Sequence, residues 1–357
     1  MAKIDIDLLL KELEAKNVVR QQHPTLPLWI YKYTQSTVYD KKWNETNLRC
    51  RGLVVDEHGN IVSNVMPKFF NDFESTAPGM SGLIAPRKDG IIKTTEKLDG
   101  SLITVSWWNE NLVVSSSGSF KSPQAFKARK IIEENNYTFD KGKTYLFEVI
   151  YPENRIVLNY GDMERLVLIT KRDTQTGVEE SIDDETKFYK VPVVAKSLEE
   201  LIAEKARPDF INKEGFVVQY DNGSRLKVKY DKYMEIHKLI SGVNEKYIWE
   251  IVKDKIDIMD LVNRMPDHIQ AFVKPYMVEL RNKYQALEIA CMAEYDRIVE
   301  SLPKGFNRKQ FAVIAAQSSN ASVMFLMLDG KSYEQAIWNK IRPMATKTFG
   351  IGEDWEA

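Results

Sequence analysis

Cysteine is nearly missing from this sequence. Cys50 and Cys291 are the only two in 357 residues, and they stand far apart, so neither a disulfide framework nor a paired-cysteine metal site is expected. The 17 glycines and 13 prolines make up about 8% of the chain, against an average near 12%, which excludes collagen-like and loop-dominated classes. No stretch approaches about 18 uncharged apolar residues, so no membrane span is expected. The opening MAKIDIDLLLKELEAKN carries acidic residues inside its apolar run and reads as a short amphipathic helix rather than a signal peptide. Charge of one sign is missing too. Lys and Arg number 50, Asp and Glu 51, and the imbalance is not concentrated anywhere: residues 241–357 hold 15 basic and 16 acidic residues, and the first 240 hold 35 of each. With no basic half, arm or tail, charge totals argue against a broad nucleic-acid-binding surface. There is no internal repeat and no low-complexity tract. These absences suit a soluble cytoplasmic protein, and the length suggests about two domains.

What is present divides near residue 240. Before it, strand signals dominate. Residues 53–55 and 61–63 flank a turn at Asp56-Glu57-His58-Gly59-Asn60. Residues 102–108 turn at Asn109-Glu110-Asn111 into 112–114, and residues 216–220 turn at Asp221-Asn222-Gly223 into 225–230. A helix is expected over 123–134. This is an α+β pattern with a largely antiparallel sheet. After residue 241 the period lengthens. Ile269, Phe272, Tyr276, Leu280, Tyr284, Leu287, Cys291, Tyr295, Ile298 and Leu302 form an apolar stripe at helical spacing, with Pro275 marking a kink or a helix start. Asn307 reads as the cap of a helix running through Leu328. Ser332 with Gln335 has capping-box spacing for a last helix. The expected architecture is a domain over 1–240 followed by an all-α domain over 241–357.

The sharpest chemical feature is Lys97-Leu98-Asp99-Gly100, set between strand-like segments. A lysine becomes a nucleophile when positive charge or desolvation lowers its pKa from about 10.4. Alone, the tetrapeptide describes an ordinary surface turn. Lys227-Val228-Lys229 puts two cations on one strand face, where an anion between them would relieve their repulsion. Glu214-Gly215 opens the preceding strand. Glu148 sits inside the apolar run Tyr145-Leu146-Phe147-Glu148-Val149-Ile150, where a charge needs a partner. Arg51 opens the first hairpin, and Lys68 precedes Phe69-Phe70.

In this order the segments resemble the covalent nucleotidyltransferase superfamily of polynucleotide ligases and mRNA-capping enzymes. Arg51-Gly52-Leu53-Val54, Pro67-Lys68-Phe69-Phe70-Asn71, Gly118-Ser119-Phe120-Lys121-Ser122 and Phe147-Glu148-Val149 running into 152–158 resemble, more narrowly, the bacteriophage tRNA-repair RNA ligases. The similarity covers residues 45–240 and continues more weakly around 307–317.

The resemblance implies an N-terminal nucleotidyltransferase (adenylyltransferase) domain and an ATP-dependent RNA ligase. Such an enzyme joins 5′-phosphate and 3′-hydroxyl RNA ends, tRNA among them, through a lysyl-AMP intermediate. It implies Lys97, Asp99, Glu214, Lys227 and Lys229 as the catalytic set. Arg51, Lys68, Gly100, Glu148 and Val217 join Lys97, Lys227 and Lys229 around the nucleotide. Glu214 and Glu148 face Mg²⁺, or Mn²⁺ in its place. It further implies a monomer acting in the cytoplasm, the host's if the source is viral. Lys229 would disfavour the ammonium form of Lys97, and Asp99 would orient the turn or the nucleotide. Two departures stand out. Ser115-Ser116-Ser117 replaces a basic residue expected before Gly118, leaving that contact missing or supplied by Lys121. The segment 166–172 has no aromatic residue, so base stacking falls to Val217, Ile169 or the stem of Lys171. A guanylyltransferase or DNA ligase with the same lysine chemistry, or a non-catalytic nucleic-acid-binding relative, remain the alternatives. Retention of Lys97, Glu148, Glu214, Lys227 and Lys229 weighs against the last.

Overall fold

Three sheets form the first part of the chain. The computed structural model describes residues 3–74, 90–209, 211–264 and 267–343. The first sheet is antiparallel, in the order Val18–Gln22, Leu28–Tyr33, Arg51–Asp56, Ile61–Ser63. The second runs Glu179–Glu180, Arg165–Asp173, Lys143–Ile150, Ser101–Trp108, Asn111–Ser116, with Tyr189–Lys190 added parallel to Arg165–Asp173. The third runs Phe70–Asn71, Arg225–Lys229, Gly215–Tyr220, Ile91–Lys97. Its Phe70–Asn71 pairing is also parallel, and the other pairings among the described strands are antiparallel.

Local chemistry places the turns. Asn109, at φ 52, lets Ser101–Trp108 reverse directly into Asn111–Ser116. The helix Pro123–Glu134 starts where Ser122 Oγ accepts the Ala125 amide at 3.1 Å, with proline at its first position. Its Ala128, Ile131 and Ile132 pack on Ile103, Val105 and Phe147 of the second sheet. Each such buried aliphatic side chain is worth about 1.5–3 kcal/mol over leaving it exposed. The first two sheets share a core in which Leu53, Val55 and Ile61 meet Leu102, Leu146, Met66 and Phe69. Ile169 and Val217 lie against this core.

The described residues separate into two compact units, the first reaching His237 and the second starting at Lys238. In the second unit the described elements are helices, several packed along the long helix Asp267–Ser301. Pro275 lies inside that helix rather than at its start. Asn307 caps a helix, with its side chain accepting from Lys309 and Gln310, but that helix ends at Ala315. A second one spans Ala321–Leu328. The break falls at Ser318-Ser319-Asn320, where Ser318 Oγ accepts the Asn320 amide at 2.9 Å and competes with helical bonding. The last helix, Glu334–Lys340, follows Tyr333 with no side-chain cap, so Ser332 does not play the part its spacing suggested. No helix among the described residues is long and apolar enough to cross a membrane.

Candidate active site

Strand register brings three charged residues together. Gly215 of the central strand lies opposite Lys97 on one side and Lys229 on the other. Glu214, one residue earlier, reaches both: Oε2 lies 2.9 Å from Lys97 Nζ and Oε1 lies 2.9 Å from Lys229 Nζ. The Glu214 carboxylate is buried, and only glycine fits next to it. Gly215 has φ +151, and a Cβ there would stand 2.2 Å from the Val228 carbonyl oxygen. Burial alone would raise the Glu214 pKa, yet the two lysines hold it below the ordinary carboxylate value.

This arrangement reverses one expectation. Burial works against the Lys97 ammonium, but Glu214, then Glu148 and Asp99, outweigh it and hold its pKa above the ordinary lysine value. Lys229 does not discharge Lys97, because the shared carboxylate stands between the two cations.

The turn after Lys97 is built from buried contacts. Gly100 donates its amide to Glu148 Oε1 at 3.1 Å, and a Cβ on Gly100 would meet the Val149 carbonyl oxygen at 2.5 Å. Asp99 is 4% exposed, and protein donors take up its carboxylate. Oδ2 accepts the Val157 and Leu158 amides at 2.8 Å each, and Oδ1 accepts the Tyr233 hydroxyl at 2.8 Å. Its own amide donates to Tyr160 at 2.9 Å. These bonds tie Asp99 to the segment 157–158 and to Tyr160 and Tyr233. Burial, then Glu214, pushes the Asp99 pKa up to about 6. Burial likewise pushes Glu148 up to about 7, although Lys97 opposes it.

Beside this turn lies a cavity of about 500 Å³ lined by Arg51, Lys97, Glu148, Lys227, Val217, Ile169 and Phe69 among others. Phe69 is an aromatic ring that was not anticipated there. Lys227 lies over it at 5.0 Å and Arg51 at 5.6 Å. Lys171, the third stacking candidate, instead pairs with Glu185 at 2.8 Å. Lys68 is buried close to the same cations. Burial, then Arg51, brings its pKa down to about 7, and burial, then Lys68 and Arg51, lowers that of Lys227 strongly. Lys68 and Lys227, buried cations lowered by one another or by Arg51, form a place suited to a polyanion.

Lys121 is not among the residues lining this cavity. It is exposed and lines a second cleft with His23, Phe126 and Arg129. The lysine against Gly118 is Lys32, whose Cδ would be 2.5 Å from a Cβ there. In the second unit Arg308 pairs with Asp329 and lies over Phe325 at 5.3 Å. Among the described residues no group of three or more His, Cys, Asp or Glu could hold a metal. Both Glu214 oxygens are engaged by lysines and Glu148 Oε1 by the Gly100 amide, so a cation bound to Glu214 would have to compete with Lys97 and Lys229.

The sequence profile described as RNA ligase matches residues 49–239, more than half of the chain. The chain belongs to the RNA ligase family. It is 24% identical over 385 residues to the RNA ligase of Rhodothermus phage RM378, covering 85% of each protein. A second relative, from Thermovibrio ammonificans, is 25% identical over 300 residues and covers 79% of this chain and 75% of its own length. Among solved structures, an archaeal ATP-dependent RNA ligase is 10% identical with a TM-score of 0.44, covering 77% of this chain and 76% of that one. A mutant Naegleria gruberi RNA ligase with ATP and Mn is 19% identical with a TM-score of 0.32, covering 42% of this chain and 52% of that one.

Proposed function

We propose that this ligase is ATP-dependent and seals 5′-phosphate to 3′-hydroxyl RNA ends through Lys97. The observation that carries the reading is Lys97 Nζ at 2.9 Å from Glu214, on the rim of a cavity whose walls bear Arg51 and Lys227. The lone pair of Lys97 attacks the α-phosphorus of ATP. The N–P bond forms as the bond to pyrophosphate breaks, and the amine loses its proton. The adenylyl group then passes to the RNA 5′-phosphate, and attack by the 3′-hydroxyl releases AMP. Each transfer is in-line, so positioning and charge dominate its barrier.

The residues divide the work. Arg51, Lys68, Lys227 and Lys229 balance the triphosphate's charge. Glu148 takes the ribose hydroxyls, and Val217, Ile169 and Phe69 face the base. Asp99 and Gly100 are positioning residues for the Lys97 turn. A divalent cation, Mg²⁺ or Mn²⁺, supplies charge neutralisation at phosphate oxygens when bound, and Glu214 with Glu148 would hold it. The helical second unit is read as an all-α domain that helps select tRNA-like substrates. The monomeric state, the cytoplasmic setting and the role in RNA repair rest on the family resemblance.

The test uses ATP or GTP labelled at the α-phosphate, followed by denaturing electrophoresis. Wild type takes covalent label from ATP with Mg²⁺, and Lys97→Ala takes none but still seals a pre-adenylylated RNA. Label from GTP alone would point to capping chemistry, and no label from either nucleotide sinks the enzymatic reading. Sealing of nicked DNA but not of RNA ends overturns the substrate assignment.

A further inference from the structure

Three aromatic rings surround the ammonium of Lys68. Its Nζ lies 5.3 Å from the ring centre of Tyr33, 5.8 Å from Trp43 and 5.6 Å from Phe70. The rings brace one another edge-to-face, Tyr33 on Trp43 at 5.0 Å and Trp43 on Phe70 at 5.4 Å. Lys68 is 7% exposed, and its backbone amide donates to the Leu48 carbonyl at 2.7 Å. The loop carrying Trp43 is fixed from the N-terminal helix Ile6–Glu14. Glu12 accepts the side-chain amides of Asn44 at 2.8 Å, Asn47 at 3.0 Å and Asn17 at 3.1 Å. Tyr33 and Trp43 both precede the matched residues 49–239, so two of the three rings come from outside the family profile.

A buried lysine beside other cations loses its charge unless something restores it. Arg51, Lys97, Lys227 and Lys229 press on Lys68, and Glu74, held by Asn71 at 2.7 Å, is the carboxylate acting in its favour. Ring faces stabilise a desolvated ammonium through their quadrupole. Unlike a second carboxylate, they do so without adding a negative charge that would repel phosphate.

We propose that Trp43, with Tyr33 and Phe70, is a positioning residue that keeps Lys68 charged and aimed at the terminal phosphates of the nucleotide. This rests on the nucleotide reading of the site given above. The amino-terminal segment thereby completes a phosphate subsite that the matched region alone leaves short of an ammonium.

The probe is inorganic tripolyphosphate, with binding measured calorimetrically from pH 5.5 to 8 on the full chain. The ratio of Trp43→Leu to wild-type dissociation constants cancels the probe's own titration. With Lys68 titrating at about 7 in wild type, removal of the ring lowers that value. The ratio is then near one at pH 5.5 and grows to about fivefold at pH 8, as expected for a midpoint displaced by roughly 0.7 unit. Trp43→Phe keeps a weaker ring face and shows a smaller growth in the same direction. A ratio constant with pH marks a merely structural role and overturns the proposal. If Trp43→Leu does not fold, an unchanged profile in Trp43→Phe overturns it equally. Wild type that fails to bind tripolyphosphate also overturns it, and covalent label from ATP then tells whether the ligase reading survives.

Discussion

Lys97 and Glu214 form an ion pair of 2.9 Å in which the carboxylate is the more deeply buried partner. Glu214 also holds Lys229, so one carboxylate fixes the place of both cations. The amine proposed to attack phosphorus is held as an ammonium, and positive charge reaching Glu214 from elsewhere would favour its release.

Glu214→Gln tests that storage. Without the carboxylate, Lys97 loses its strongest stabiliser, and its reactivity toward an amine-directed reagent should rise at lower pH than in wild type. Two partly buried lysines lose the buried carboxylate they share, so stability should fall by about 3 kcal/mol in urea unfolding. An unchanged pH profile of Lys97 modification would show that Glu214 does not govern its charge.

How far the sequence reached is clearest at this pair. The ordered motifs and the family they resemble singled out Lys97, Glu214 and Lys229; by residue type and strand pattern alone each was an ordinary surface group. The sign of the Lys97 shift was not legible, since it depends on which side chain lies between two lysines 132 positions apart in the chain. The long-range partners of Asp99, Tyr160 and Tyr233, were invisible for the same reason, as was the place of the Phe69 ring at the cavity. Hairpins were legible because their turns are local. The break at residues 316–320 was not, because the apolar spacing continues across it while the Ser-Asn backbone bonding does not.

Glu148 gives a prediction in pH. Its folded value of about 7 lies above the ordinary 4.5, so between these the folded state binds more protons than the unfolded one. Stability from this group is present below about pH 4.5 and is lost as pH rises through 7. Glu148→Gln, which stays neutral, should flatten the fall of Tm across that window and match or exceed wild-type stability at pH 8, with a difference of order 2 kcal/mol. A Tm curve parallel to wild type across the window would exclude the shift.

Asp99 and Tyr233 should separate in magnitude. Asp99→Ala strands the buried Val157 and Leu158 amides, at about 1–3 kcal/mol for each unsatisfied donor. Tyr233→Phe removes one hydroxyl bond and should cost about 1 kcal/mol. Both should slow adenylylation of Lys97 through the turn. Equal losses of stability from the two substitutions would mean that the loop amides find other acceptors.

Gly100 and Gly223 form a matched pair of alanine substitutions. At Gly223 the backbone has φ 78 but nothing lies within 4 Å of a new Cβ, so Gly223→Ala meets only conformational strain of about 1–2 kcal/mol and should leave covalent labelling intact. At Gly100 the Cβ would lie 2.5 Å from the Val149 carbonyl oxygen and 3.0 Å from the Glu148 side chain. The turn must shift, and it carries Lys97 on one flank and the Glu148 hydrogen bond on the other. Label formation in Gly100→Ala should therefore fall by about 100-fold, the loss that a displacement near 1 Å costs an aligned reaction, while sealing of pre-adenylylated RNA falls less. Equal losses in both assays would mean that the substitution disturbs the whole cavity rather than the placement of Lys97.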